Sequence, residues 1–146
     1  MSGANSKQIG GTHYLTDDSG IAHWDFCTIV QADYLQGYAS KYIMRWRKMP
    51  KEKGLQDLNK AKHIVEKMLE LRSVGWLRRI VVALAGGHAA YRNNCYATRE
   101  QLATFVESNN MATEDAAVVH GIFLWSNIRD LEIVLKTIAT IEEEAQ

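Results

Sequence analysis

The 146-residue sequence predicts an all-α fold, a compact bundle of about six helices behind an irregular N-terminal arm, and three observations carry that prediction. Leu55, Leu58, Ala61, Val65, Met68 and Leu69 recur at helical spacing and form one apolar stripe. Ile128, Leu131, Val134, Leu135, Ile138 and Ile141 form a second. No segment shows the sustained alternation of a half-buried strand. With 47% hydrophobic residues the chain can bury one core, so residues 1–146 read as a single domain.

In chain order, residues 1–20 are rich in Gly, Ser, Thr and Asp without helical period, which makes them the arm. A first helix is expected over about residues 22–34, with Gly37 separating it from a second that runs to about Met49. Pro50, the only proline, ends that helix because proline disfavours α geometry at the residue before it, and Lys51 to Gly54 would make a turn. The third helix spans about residues 55–73. After Gly75, residues 76–85 read as a mostly apolar helix, although Val81-Val82 leaves a strand open, and Gly86-Gly87-His88 follows as a flexible point. Residues 89–97 are ambiguous, with a turn at Asn93-Asn94. Thr98 and Gln101 have capping-box spacing ahead of a helix over residues 99–108. Asn109-Asn110 breaks it, Thr113 caps the next helix, and Glu114-Asp115 oppose that helix's dipole. The last helix ends in Glu142-Glu143-Glu144.

Seventeen basic and seventeen acidic residues cancel, which argues against stable nucleic-acid binding or membrane attachment through bulk charge. Locally the balance differs. Residues 36–72 hold ten Lys/Arg against four Asp/Glu, whereas residues 127–146 hold five acidic against two basic. Cys27 and Cys95 suggest neither a disulfide framework nor a zinc cluster, and neither has a histidine placed for a recognisable nucleophilic pair. The N-terminus lacks signal-peptide character, and the longest apolar run, residues 80–85, is too short to span a bilayer. A cytoplasmic protein with reduced thiols is expected.

The basic segment supplies the candidate site. On a helix Lys41, Arg45 and Lys48 fall at i, i+4 and i+7 and share one face that can close on a polyanion, with Arg47 or Lys48 available for a second phosphate. Tyr42 adjoins Lys41. Asp57, Lys60 and His63 open the following helix and can reach the same place, and Asp57 could bind Mg2+ or orient an attacking phosphate. Within the arm, Tyr14 could stack on a base while His13 bonds phosphate or ribose. Asp25, between Trp24 and Phe26, would support Lys41 or Arg45. The four tryptophans read mainly as core or subunit contacts.

Gly10-Gly11-Thr12-His13-Tyr14, Trp24-Asp25-Phe26, Lys41-Tyr42 with Arg45, and the run from Gly54 through Asp57, Lys60 and Ala61 to His63 occur in fixed order. Together they resemble the phage nucleotide kinase-like family of small helical proteins. The resemblance covers residues 10–71; residues 76–146 add helices with no counterpart in it, and Tyr38 stands where members commonly carry a small polar residue. It implies nucleotide binding. It further implies a possible deoxynucleoside monophosphate kinase working without a P-loop, since the sequence has no Gly-x-x-x-x-Gly-Lys-Ser/Thr. His13 and Asp57 would then be catalytic, Mg2+ would accompany the nucleotide, and Tyr14, Lys41, Tyr42, Arg45, Lys48, Lys60 and His63 would bind it. Two alternatives accompany that reading: a non-catalytic protein sequestering a nucleotide signal of host defence, and a helical interaction protein whose basic stripe meets an acidic surface. The abundance of apolar stripe predicts a homo-oligomer, most simply a dimer.

Overall fold

The computed structural model describes residues 20–73, 80, 81, 84, 85 and 91–146. Among them are six α-helices and no strand: α1 (His23–Ile29), α2 (Tyr34–Arg45), α3 (Lys51–Arg72), α4 (Arg99–Ser108), α5 (Thr113–Leu124) and α6 (Ile128–Ala145). The all-α expectation holds. The arm carrying His13 and Tyr14, and most of the helix expected over residues 76–85, lie outside the described residues.

Between α1 and α2 the chain breaks earlier than expected, at Gln31, whose φ of 53° is left-handed. Asp33 then caps α2. Its carboxylate accepts from Gln36 N at 2.8 Å, and Gln36 Oε1 accepts from Asp33 N at 3.1 Å, a reciprocal capping box. Gly37 is therefore not a separator but an interior residue of α2, facing Cys27.

The second correction concerns Pro50. The α-helix stops at Arg45, tightens into a 3-10 turn over Trp46–Lys48, and reaches Met49 in extended geometry, as a residue before proline should. Pro50 caps α3 directly, so Lys51 to Gly54 form the first turn of α3 and not a loop. Gly54 is needed there because a Cβ would stand 2.5 Å from the Trp46 carbonyl oxygen.

The long helix α3 is the spine. It buries Gly54, Asp57, Leu58, Ala61, Val65 and Met68, and packs against α2 on one side and α6 on the other. α5 covers α2 and α6, and its buried Val118, Val119, Ile122 and Phe123 complete the centre. Phe26 of α1 stacks on Phe105 of α4 at 4.1 Å and meets the edge of Phe123 at 5.4 Å. The box on α4 forms as expected between Thr98 and Gln101. Ala112, not Thr113, is the cap residue of α5, and α6 starts with an Asn127–Asp130 box.

Residues 91–98 run irregularly over the bundle, and Asn93 is a tie instead of the expected turn. Its Nδ2 donates to the carbonyls of Phe123 and Trp125 at 2.8 and 2.9 Å. Its Oδ1 accepts from Gln36 Nε2 at 2.9 Å and Cys95 N at 3.0 Å. Among the described residues no helix is long and apolar enough to cross a membrane.

Candidate functional site

The Lys-Tyr-x-x-Arg end of α2 and the first turns of α3 meet at Asp57. Its side chain faces the α2–α3 contact and is only 2% exposed, so an isolated carboxylate there would be costly. Two cations compensate it. Arg45 donates from Nε to Oδ2 at 2.6 Å and from Nη2 to Oδ1 at 2.7 Å, a bidentate fork, and Lys60 donates to Oδ1 at 3.2 Å. Burial alone would raise the Asp57 pKa; the hydrogen bonds and charges of Arg45 and Lys60 outweigh it and hold the carboxyl below its ordinary value.

Above this pair lies Tyr42. The Arg45 guanidinium is 5.4 Å and the Lys60 ammonium 5.2 Å from its ring centre, so both cations also rest against one aromatic ring. One turn back, Lys41 Nζ stands 5.6 Å from the Tyr38 ring. Of the expected site residues, Lys41, Tyr42, Arg45, Asp57 and Lys60 thus share one region of α2 and α3.

Others do not join it. The 3-10 turn interrupts the i, i+4, i+7 relation, and Lys48 is exposed without a hydrogen bond or ion pair among the described residues. His63 points outward, 85% exposed, and faces Glu66 at 3.5 Å. Arg47 is committed elsewhere: its Nε donates to Asp115 Oδ2 at 2.7 Å while the indole of Trp46 donates to Asp115 Oδ1 at 3.0 Å. Asp115 is buried and belongs to the first turn of α5, so the pair pins the 3-10 turn to that helix. Arg45 pairs with Asp57, and Asp25 is exposed on α1.

Sequence reasoning did not find Asp115, Tyr34 or Tyr38. Asp115 reads in sequence as a helix-dipole residue, and nothing local reveals its tertiary partners. The tyrosines were legible, since 34, 38 and 42 are at i, i+4 and i+8.

His23 reaches Cys27, with Nε2 3.5 Å from Sγ. Burial, with the nearby Cys95, pushes the Cys27 pKa up to about 12, and burial with the Lys41 charge lowers that of His23 to about 4. Both groups are held neutral, the reverse of an activated thiolate–imidazolium pair.

A separate cleft of about 520 Å³ lies at the C-terminal end of α5, lined by Arg72, Arg92, Asn93 and Trp125 among others. It does not coincide with the Asp57 nest. No family model, curated protein or solved structure matches this chain.

Proposed function

We propose that the protein is a phage nucleotide-binding protein that takes the phosphates of its ligand at Lys41, Arg45 and Lys60. The observation that carries this reading is the convergence of Arg45 and Lys60 on buried Asp57 against the Tyr42 ring. Arg45 and Lys60 outnumber the one carboxylate they share, and Lys41 lies one turn back on α2, an arrangement suited to a phosphate group. Because Asp57 already orders two of the side chains, a phosphate arriving there would find donors whose ordering cost is partly met.

In its catalytic form the reading is a deoxynucleoside monophosphate kinase. Lys41, Arg45 and Lys60 would neutralise the charge developing on the transferring phosphoryl group, and His13 of the arm would polarise a phosphate oxygen. Asp57 fits a positioning role better than a magnesium site: both its oxygens accept from cations, whereas Mg2+ needs several free oxygen ligands. Among the described residues no three His, Cys, Asp or Glu side chains gather as a metal site.

A carboxylate already neutralised by two cations is equally suited to holding a nucleotide without transforming it, and this favours sequestration as the second reading. Either reading places the protein in the host-cell cytoplasm. Assembly into a homo-oligomer is part of the same proposal, and sedimentation would read it.

The test is purified protein with each deoxynucleoside monophosphate, first alone and then with ATP. At a hundredfold excess over Kd, binding adds about 2.7 kcal/mol, which should raise Tm by roughly 5–10 °C. Diphosphate formed in the presence of ATP establishes the kinase; nucleotide recovered unchanged establishes sequestration. Indifference of Tm to every nucleotide rejects the proposal in favour of a helical interaction protein.

A further inference from the structure

We infer that Tyr34, Tyr38 and Tyr42 form the base-stacking half of this site, so that its ligand is recognised through the flat face of a nucleobase and not as a bare phosphate or sugar phosphate. The inference rests on the nucleotide reading and specifies what the site selects.

The three rings stand at i, i+4 and i+8 along α2 and therefore make one ladder on one face of the helix. Tyr34 and Tyr38 have ring centres 4.5 Å apart, and Tyr38 and Tyr42 6.4 Å apart. Two of the rings are kept in water: Tyr34 is 71% and Tyr38 39% exposed. Neither belongs to the apolar core, whereas Tyr42 packs against it. The ladder thus runs from an open aromatic end to a ring on which two cations rest.

The polarity of the ladder matches that of a nucleotide. At the Tyr42 end Arg45 and Lys60 supply charge for phosphate, and Lys41 lies over Tyr38 one turn away. At the Tyr34 end no charged side chain among the described residues lies against the ring, and its neighbour is the aromatic surface of Tyr38, as a base requires. Four residues of helix advance about 6 Å, so neighbouring rungs can take the base and the phosphate of a single nucleotide. Ring faces offer stacking without an edge-reading hydrogen-bond pattern, so the site should tolerate different bases and favour the larger purines.

The experiment compares dAMP, dGMP, dTMP, 2-deoxyribose 5-phosphate and pyrophosphate by calorimetry on the wild type, Tyr38→Phe, Tyr38→Ala and the Tyr34→Ala/Tyr38→Ala double variant, with helicity checked by circular dichroism. The wild type should bind dAMP and dGMP roughly tenfold or more tightly than deoxyribose 5-phosphate, the scale of one stacked base. Tyr38→Phe should keep that preference, and in the double variant the ratio of nucleotide affinity to deoxyribose 5-phosphate affinity should fall toward one. Equal affinity of the wild type for nucleotide and sugar phosphate overturns the ladder's role and leaves phosphate binding standing. So does an undiminished base preference in the double variant, or a double variant whose only change is a smaller assembly in sedimentation, which would make the ladder a contact between copies. Failure of all five ligands removes the nucleotide reading and the ladder with it.

Discussion

At His23 the imidazole sits between α1 and α2, with Nε2 2.9 Å from Ser40 Oγ and 3.5 Å from Cys27 Sγ. Burial, aided by the Lys41 charge, lowers its pKa from 6.5 to about 4. In the unfolded chain the same ring takes a proton near pH 6.5, so between that pH and about 4 the unfolded state binds more protons than the folded one. Stability is therefore full above pH 6.5 and declines as pH falls toward 4, by on the order of 3 kcal/mol at the bottom of the window. His120, lowered by burial and the Arg99 charge, acts with the same sign. Asp57 acts lower, because its carboxyl is held below 3.8. Urea unfolding at pH 7.5, 5.5 and 4.5 should show the wild type losing stability across the series, and His23→Gln losing clearly less. A variant whose decline parallels the wild type would place the sensitivity elsewhere.

At the scale of elements, the approach of the 3-10 turn to α3 sets the geometry of the nest, and two glycines test it in opposite directions. In Gly54→Ala the new Cβ would meet the Trp46 carbonyl oxygen at 2.5 Å, a backbone atom that cannot swing aside. Overpacking of about 1–3 kcal/mol should exceed the roughly 1 kcal/mol that alanine gains over glycine in a helix. The turn carrying Trp46 and Arg47 would have to move off Asp115 as well. In Gly37→Ala the Cβ meets only Cys27 Sγ at 3.9 Å, ordinary contact, so the helix-propensity gain should survive. Thermal melts should move down for the first and up for the second. The two glycines looked alike in sequence, both marking breaks, and both lie inside helices. What was legible was periodicity: the stripes of α3 and α6 and the Thr98 box need only local spacing. Asp33 with Gln36 had the same local signal and went unread. The left-handed Gln31 has no local signal, whereas Pro50 carries one that reads two ways, since proline both ends a helix before it and is favoured where a helix starts. The site divides likewise. Spacing brought Lys41, Tyr42, Arg45, Asp57 and Lys60 forward, but the diversion of Arg47 to Asp115 is a contact across 68 residues.

For the molecule as a whole, the question is whether the first half of the chain, which carries every side chain of the nest, can stand without the helices that follow. The side chains of the nest all lie between residues 41 and 60, yet the surface that seats them does not. Asp57 is on the buried face of α3 together with Leu58, Ala61, Val65 and Met68, and that face is covered by α6 as well as α2. Gln36, fully buried in α2, donates to the Ile122 carbonyl of α5 at 3.1 Å. Phe26 loses both Phe105 and Phe123 if the second half is removed. Lys62 to Glu142 at 3.0 Å and Lys51 to the Gln146 carbonyl at 2.8 Å tie the first half of α3 to the C-terminal end of α6. A chain of residues 1–73 would expose the α6-facing stripe of α3, and a domain that short buries too little of its surface to offset the entropy of ordering it. Such a fragment should show helical circular dichroism without a cooperative melt, bind a hydrophobic dye, and fail to bind nucleotide, while the full chain melts in one transition. A cooperatively folded fragment that bound nucleotide with wild-type affinity would show the opposite, that the nest is self-supporting and the added helices serve something else. The buried position of Asp57 argues for dependence. Without α5 and α6 the carboxylate would be hydrated, and Arg45 and Lys60 would lose the low-dielectric setting that holds them side by side.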